Sequence, residues 1–210
     1  FNAEKYQEGK FASANNEPNW LMELREKAFD SLTSLEMPKP DKTNIRNWNF
    51  TEFANHTVES EAFSSLDELP EEVKALLDAE EKHNIYVQRN NTPAFISISE
   101  TLKEQGVIFT DIITAAREHS ELVQKYFMTK GIKVDEHRLT ALQAALMNGG
   151  IFIYVPKNVE VKEPLQAVFL RDNKDASLFN HVLIVADENS QVTYVENYIS
   201  TVEGSGLANI

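Results

Sequence analysis

The segment Ala141-Leu-Gln-Ala-Ala-Leu-Met147-Asn-Gly-Gly150-Ile-Phe-Ile-Tyr-Val-Pro156-Lys-Asn-Val159 changes its hydrophobic period from helix to strand, and the remainder of the chain keeps the strand period. Ala141, Leu142, Ala145 and Leu146 recur at helical spacing, and Asn148, Gly149 and Gly150 supply residues that tolerate the left-handed backbone ending a helix. Ile151 to Val155 is an almost continuous apolar run, the pattern of a strand buried on both faces. The division expected is a mainly helical region over 1–148 and a β region over 149–210.

Upstream, Phe1–Asn16 is polar and aperiodic and reads as an extension or a short, loosely tied helix. The first firm helix is expected to start at Asn16-Glu17-Pro18, with Pro18 suited to the first turn and Glu17 favoured by the helix dipole. Trp20, Leu21, Leu24, Ala28, Leu32 and Leu35 form its apolar stripe, and Met37-Pro38-Lys39-Pro40 stops it. Asp41 to Leu66 reads as an irregular connection pinned by Trp48, Phe50, Phe53 and Phe63, and a second helix is expected from Pro70. Ile85 to Ile98 has the alternation of a hairpin turning at Asn90-Asn91, since Asn tolerates positive φ. Short helices are expected near Ser99–Gln105, Asp111–His119 and Glu121–Phe127, with apolar Val107-Ile-Phe109 between the first two, and another helix over Asp135–Met147. In the back half, 151–155, 166–170, 178–186 and 191–198 are strand-like and separated by short polar turns, consistent with a sandwich, a barrel or a β-solenoid.

The formal net charge of −13, from 33 acidic and 20 basic residues, argues against nucleic acid and anionic membrane surfaces as partners. No apolar run approaches the roughly 20 residues of a membrane-spanning helix. The chain has no cysteine, which excludes thiolate-ligated metal built from it alone and fits a reducing compartment.

Five histidines, at 56, 83, 119, 137 and 181, are the candidates for base or metal chemistry near neutral pH, and no pair has the i, i+4 spacing of a helical metal clip. His83 and His119 fall near expected helix C-termini, His137 in a first turn, and His181 within a strand as a hydrogen-bonded wall residue. Glu160 with Glu163, or Glu188 with Glu196, could converge on neighbouring strands, as chance allows among so many carboxylates. Gly149-Gly150 lacks a phosphate-loop pattern and reads as a helix terminator. Trp20, Phe29 and Trp48 read as core aromatics. No catalytic, cofactor-binding or metal-binding residue is assigned.

Several local patterns in order resemble the SufB/SufD family of iron–sulfur cluster assembly scaffolds, on its SufD branch. They are Glu17-Pro-Asn-Trp20-Leu with Leu24-Arg25 and Leu35-Glu-Met37-Pro38, then Gly106-Val-Ile-Phe109-Thr-Asp111 with Ala115-Ala-Arg117-Glu118-His119, then Leu139–Val159, Pro164-Leu165, Asn180-His181-Val-Leu-Ile-Val-Ala186 and Val192-Thr-Tyr-Val-Glu196. The resemblance implies an α+β fold: an N-terminal helical region with a small hairpin, then the first coils of a right-handed parallel β-helix, truncated in this chain. It implies a cytoplasmic, non-enzymatic scaffold fragment that pairs, in the intact protein, with SufB-like and SufC-like partners. No cofactor is expected in this portion, the cluster being assembled transiently by the whole complex. An open coil edge would favour homo-association or capping by the chain's own tail. The alternatives are a β-helical polysaccharide-active enzyme and an interaction module unrelated to cluster assembly.

Overall fold

The computed structural model describes residues 16–53, 55–78, 83–204 and 207–210. All of the N-terminal extension except Asn16 lies outside them, as do residues 79–82 before His83.

Helix α1 (Asn19–Ser31) follows Pro18. Leu21 and Ala28 are fully buried, and Trp20 and Leu24 pack against the same cluster. The helix closes at Ser31, short of the expected Leu35. The second helix contracts to α2 (Glu71–Lys74), a single turn that buries Val73. The hairpin forms as expected: β1 (Ile85–Arg89) pairs antiparallel with β2 (Thr92–Ser97), and Asn90 takes φ 54° at the turn. Next come α3 (Glu100–Glu104), β3 (Ile108–Asp111), α4 (Ile112–Glu118), α5 (Ser120–Tyr126) and α6 (Arg138–Leu146). The apolar Val107-Ile-Phe109 segment thus supplies a strand. His137 caps α6 instead of lying in its first turn: its Nδ1 accepts from the Thr140 amide at 3.2 Å, and Thr140 Oγ1 accepts from the His137 amide at 3.1 Å.

The remaining strands are β4 (Gly149–Val155), β5 (Leu165–Arg171), β6 (Leu178–Ala186), β7 (Tyr194–Ser200) and β8 (Ala208–Asn209). They alternate between two four-stranded sheets, ordered β2-β1-β5-β7 and β3-β4-β6-β8. In the first, β1, β5 and β7 run parallel and β2 antiparallel. In the second, β4, β6 and β8 run parallel and β3 antiparallel.

The expected right-handed parallel β-helix is therefore corrected to two mixed sheets. The physical reason is that front-half strands join both sheets. The β1–β2 hairpin borders β5, and β3 closes the other side of β4 with antiparallel pairing. A strand pattern read from sequence reports which segments are extended, not which neighbour each one chooses.

Between the sheets lie Tyr86, Phe109, Ile151, Ile153, Ala167 and Phe169. The outer face of the β4 sheet packs through Phe152 on α1, α4 and α5. The outer face of the β1 sheet packs through Val87, Val168 and Leu170 on Leu69 and Val73. Both faces of β4 and β5 are thus covered, which is why their sequences are nearly unbroken apolar runs.

Candidate functional site: the open flank of the sandwich

The Asn148-Gly149-Gly150 turn does different work from the helix stop expected of it. Met147 is the C-cap of α6, and both glycines already belong to β4. Gly150 has φ +121°, and a Cβ there would run into the His181 backbone of β6. At Gly149 a Cβ would meet the Gln88 amide and Asn180 Oδ1. That space is used. Gln88, fully buried, accepts from the Gly150 amide (2.9 Å) and the Tyr86 hydroxyl (3.1 Å). It donates to the Asn90 carbonyl and Asn180 Oδ1, both at 2.8 Å. One amide thereby ties β1 in the first sheet to β4 and β6 in the second, with its hydrogen-bonding capacity filled. Asn148 accepts from the Phe179 amide at 2.8 Å and donates to the carbonyls of Ser177 and His56.

From this junction the two sheets run out to β7 and β8, the last strand of each order. Among the described residues, β7 pairs along one edge, with β5, and β8 covers β6 at Leu178 and Phe179 alone. Strand register places Val182 and Ile184 of β6 on the inward face with Ile151 and Ile153, and Glu196 and Tyr198 of β7 on the inward face with Ala167 and Phe169. Tyr198 stacks on Phe169 with ring centroids 4.6 Å apart at 10°. Apolar side chains therefore reach the surface on both faces here: inward-facing Ile184 is 40% and Tyr198 37% exposed, and Val195, on the outer face of β7 beside Gln166, is 44% exposed. Burial, then the Glu196 carboxylate, pushes the Tyr198 hydroxyl up to about 12, and burial raises Tyr194, whose hydroxyl donates to Glu196 at 2.7 Å. These phenols stay protonated at neutral pH. Among the described residues the flank presents two adjacent strand edges and exposed apolar side chains.

The family model described as SufBD protein N-terminal region matches residues 3–167. The chain belongs to the SufBD family. It is 63% identical over 193 residues, 91% of its length, to the iron–sulfur cluster assembly protein SufD of Bacillus subtilis (strain 168), covering 44% of that protein. It is 33% identical over 196 residues, 89% of its length, to an iron–sulfur cluster assembly SufBD family protein of Staphylococcus aureus (strain USA300), covering 42% of it. The chain thus spans less than half the length of the curated relatives it matches.

In this SufBD chain the histidines are dispersed. His83 is exposed, His119 joins α4 to α5, and His137 caps α6. His56 donates through Nε2 to the Leu146 carbonyl at 2.7 Å. The His181 ring packs on Phe127, centroids 4.6 Å apart, where a hydrogen-bonded wall position was expected. The carboxylates proposed as pairs take other partners: Glu163 accepts from Asn84, Glu188 pairs with Lys157, and Glu196 accepts from Tyr194. Among the described residues no group of three or more His, Asp or Glu could hold a metal ion, and no helix is long and apolar enough to cross a membrane. Sequence reasoning missed the Gln88 tie and the buried Glu17–Arg25 pair, because partners 62 and 8 residues away leave no local pattern.

Burial pushes both His56 and His181 down to about 4 from an ordinary 6.5; at His56 the Leu146 carbonyl opposes this and Arg25 adds to it. Below the ordinary value the unfolded chain binds protons that these folded rings refuse. Stability contributed by their neutral burial is complete above pH 6.5, falls as pH drops toward about 4 and then levels off, on the order of 3 kcal/mol per ring. Urea midpoints at about pH 7.5 and 4.5 should show a smaller acid loss in His181→Leu than in the parent; equal losses would remove His181 from the account.

Proposed function

We propose that the protein containing this chain is a non-enzymatic, cytoplasmic scaffold subunit of an iron–sulfur cluster assembly complex, acting as a SufD and pairing with SufB-like and SufC-like proteins. The observation that carries the reading is the 63% identity to the Bacillus subtilis SufD across nearly the whole chain. The cluster is cargo of the complex in this reading, and this chain contributes shape: a rigid two-sheet body with an open flank to which strands can add.

Co-expression of the full-length protein with its SufB-like and SufC-like counterparts, then affinity purification through a tag on the SufC-like partner, is expected to recover all three together. Recovery of the SufC-like protein without it would refute the pairing. The 210-residue chain by itself is expected to associate through the flank as its concentration rises, since unpaired edges and apolar seams recruit strands. Light scattering over a dilution series should record that association, and Ile184→Lys with Val195→Lys should hold the chain monomeric.

A further inference from the structure

Trp48 departs from its sequence reading as core: it is 59% exposed, its ring 6.1 Å from that of Phe50. It belongs to the strip between α1 and the rest of the fold, which with Arg138 encloses an open groove of about 910 Å³. Met37, Pro38 and Ile45 contribute apolar lining beside the two aromatic rings. Arg138 anchors the strip by its backbone amide on the Glu36 carbonyl (2.8 Å) and its Nε on the Leu35 carbonyl (3.0 Å).

The charge here runs against the chain as a whole. Lys39 is paired with Glu36 at 2.6 Å, which leaves Lys42, Arg46 and Arg138 against Asp41 in a chain whose formal net charge is −13. Exposed Trp and Arg together, on a concave apolar floor, are the composition of a protein-binding hot spot. The groove is open to solvent along the strip, unlike the enclosing pockets that bury most of a small ligand. Three cations are too few to hold a polyphosphate backbone in so acidic a chain.

We infer that this groove, from Met37 to Phe50 with Arg138, is a docking site for an acidic peptide segment of a partner protein, its apolar anchor set against Trp48 and Phe50 and its carboxylates against Lys42, Arg46 and Arg138. The site lies apart from the β6–β7 flank and is independent of what docks there.

The test uses the full-length protein and a short fluorescein-labelled peptide of Asp and Glu around one Trp and one Leu, monitored by anisotropy. Saturable binding is expected, weakening as salt is raised. Lys42→Glu with Arg46→Glu should weaken it at least about tenfold, Trp48→Ala by about tenfold, and Arg46→Lys by much less. The unfolding midpoints of these surface variants should match the parent. A control peptide with Lys in place of the acids should not bind. Absence of saturable binding, equal affinity for the variants, equal affinity for the basic peptide, or displacement of the probe by ATP would each overturn the proposal, the last by making the groove a nucleotide site.

Discussion

Gly150→Ala is expected to abolish the cooperative unfolding transition or to cost more than about 4 kcal/mol, far beyond the propensity difference between the two residues. Two costs combine. The backbone at φ +121° lies where residues with a Cβ rarely go, and the new methyl would occupy the space of the His181 backbone. Relief requires β4 and β6 to separate, which pulls apart Gly150 and Asn180, the two groups that the Gln88 amide holds at once. Gly131→Ala supplies the control, because a Cβ there meets nothing within 4 Å. Chemical denaturation monitored by near-ultraviolet circular dichroism reads both. A Gly150→Ala protein as stable as the parent would show that the close approach of β4 to β6 is not required.

Arg25→Ala carries the second large effect. Arg25 and Glu17 form a two-pronged pair, Nε to Oε2 at 2.9 Å and Nη2 to Oε1 at 2.7 Å, with side chains 10% and 0% exposed. The same guanidinium donates to the Ala145 carbonyl at 3.1 Å in the last turn of α6, where helix carbonyls lack internal partners. Removing the arginine strands a buried carboxylate and should cost about 3–5 kcal/mol. Replacing both charges, Glu17→Met with Arg25→Met, should recover much of that loss, since no buried charge then remains uncompensated. Urea unfolding of the single and double variants decides it: a double variant no more stable than Arg25→Ala would mean that the bond to α6, not the ion pair, carries the energy.

This pair also bears on how the family architecture is held. It fastens the opening helix to α6, and α6 leads directly into the Asn148-Gly149-Gly150 junction, where His56 and Asn148 hydrogen-bond across the same corner. The β6–β7 flank and the Trp48 groove sit on a body braced by buried polar ties. Charge variants confined to those surfaces are accordingly expected to separate binding from folding.

The sequence by itself determined the elements whose signal is local. Alternation around Asn90-Asn91 specified the hairpin, the apolar run Ile151–Val155 marked a strand covered on both faces, and β6 falls over the residues read for it. Ordered motifs also identified the SufBD family, because a motif needs only its neighbours in the chain to be recognised. Tertiary structure alone decided the pairing of strands into two mixed sheets, the strand role of Ile108–Asp111 and the exposure of Trp48. It also gave Gly150 its purpose as clearance for another strand and turned Glu17 from a dipole partner into the buried mate of Arg25. The physical reason is common to these cases. Periodicity reports how each segment divides its faces between water and interior, whereas the choice of neighbour depends on contacts between residues far apart in the chain.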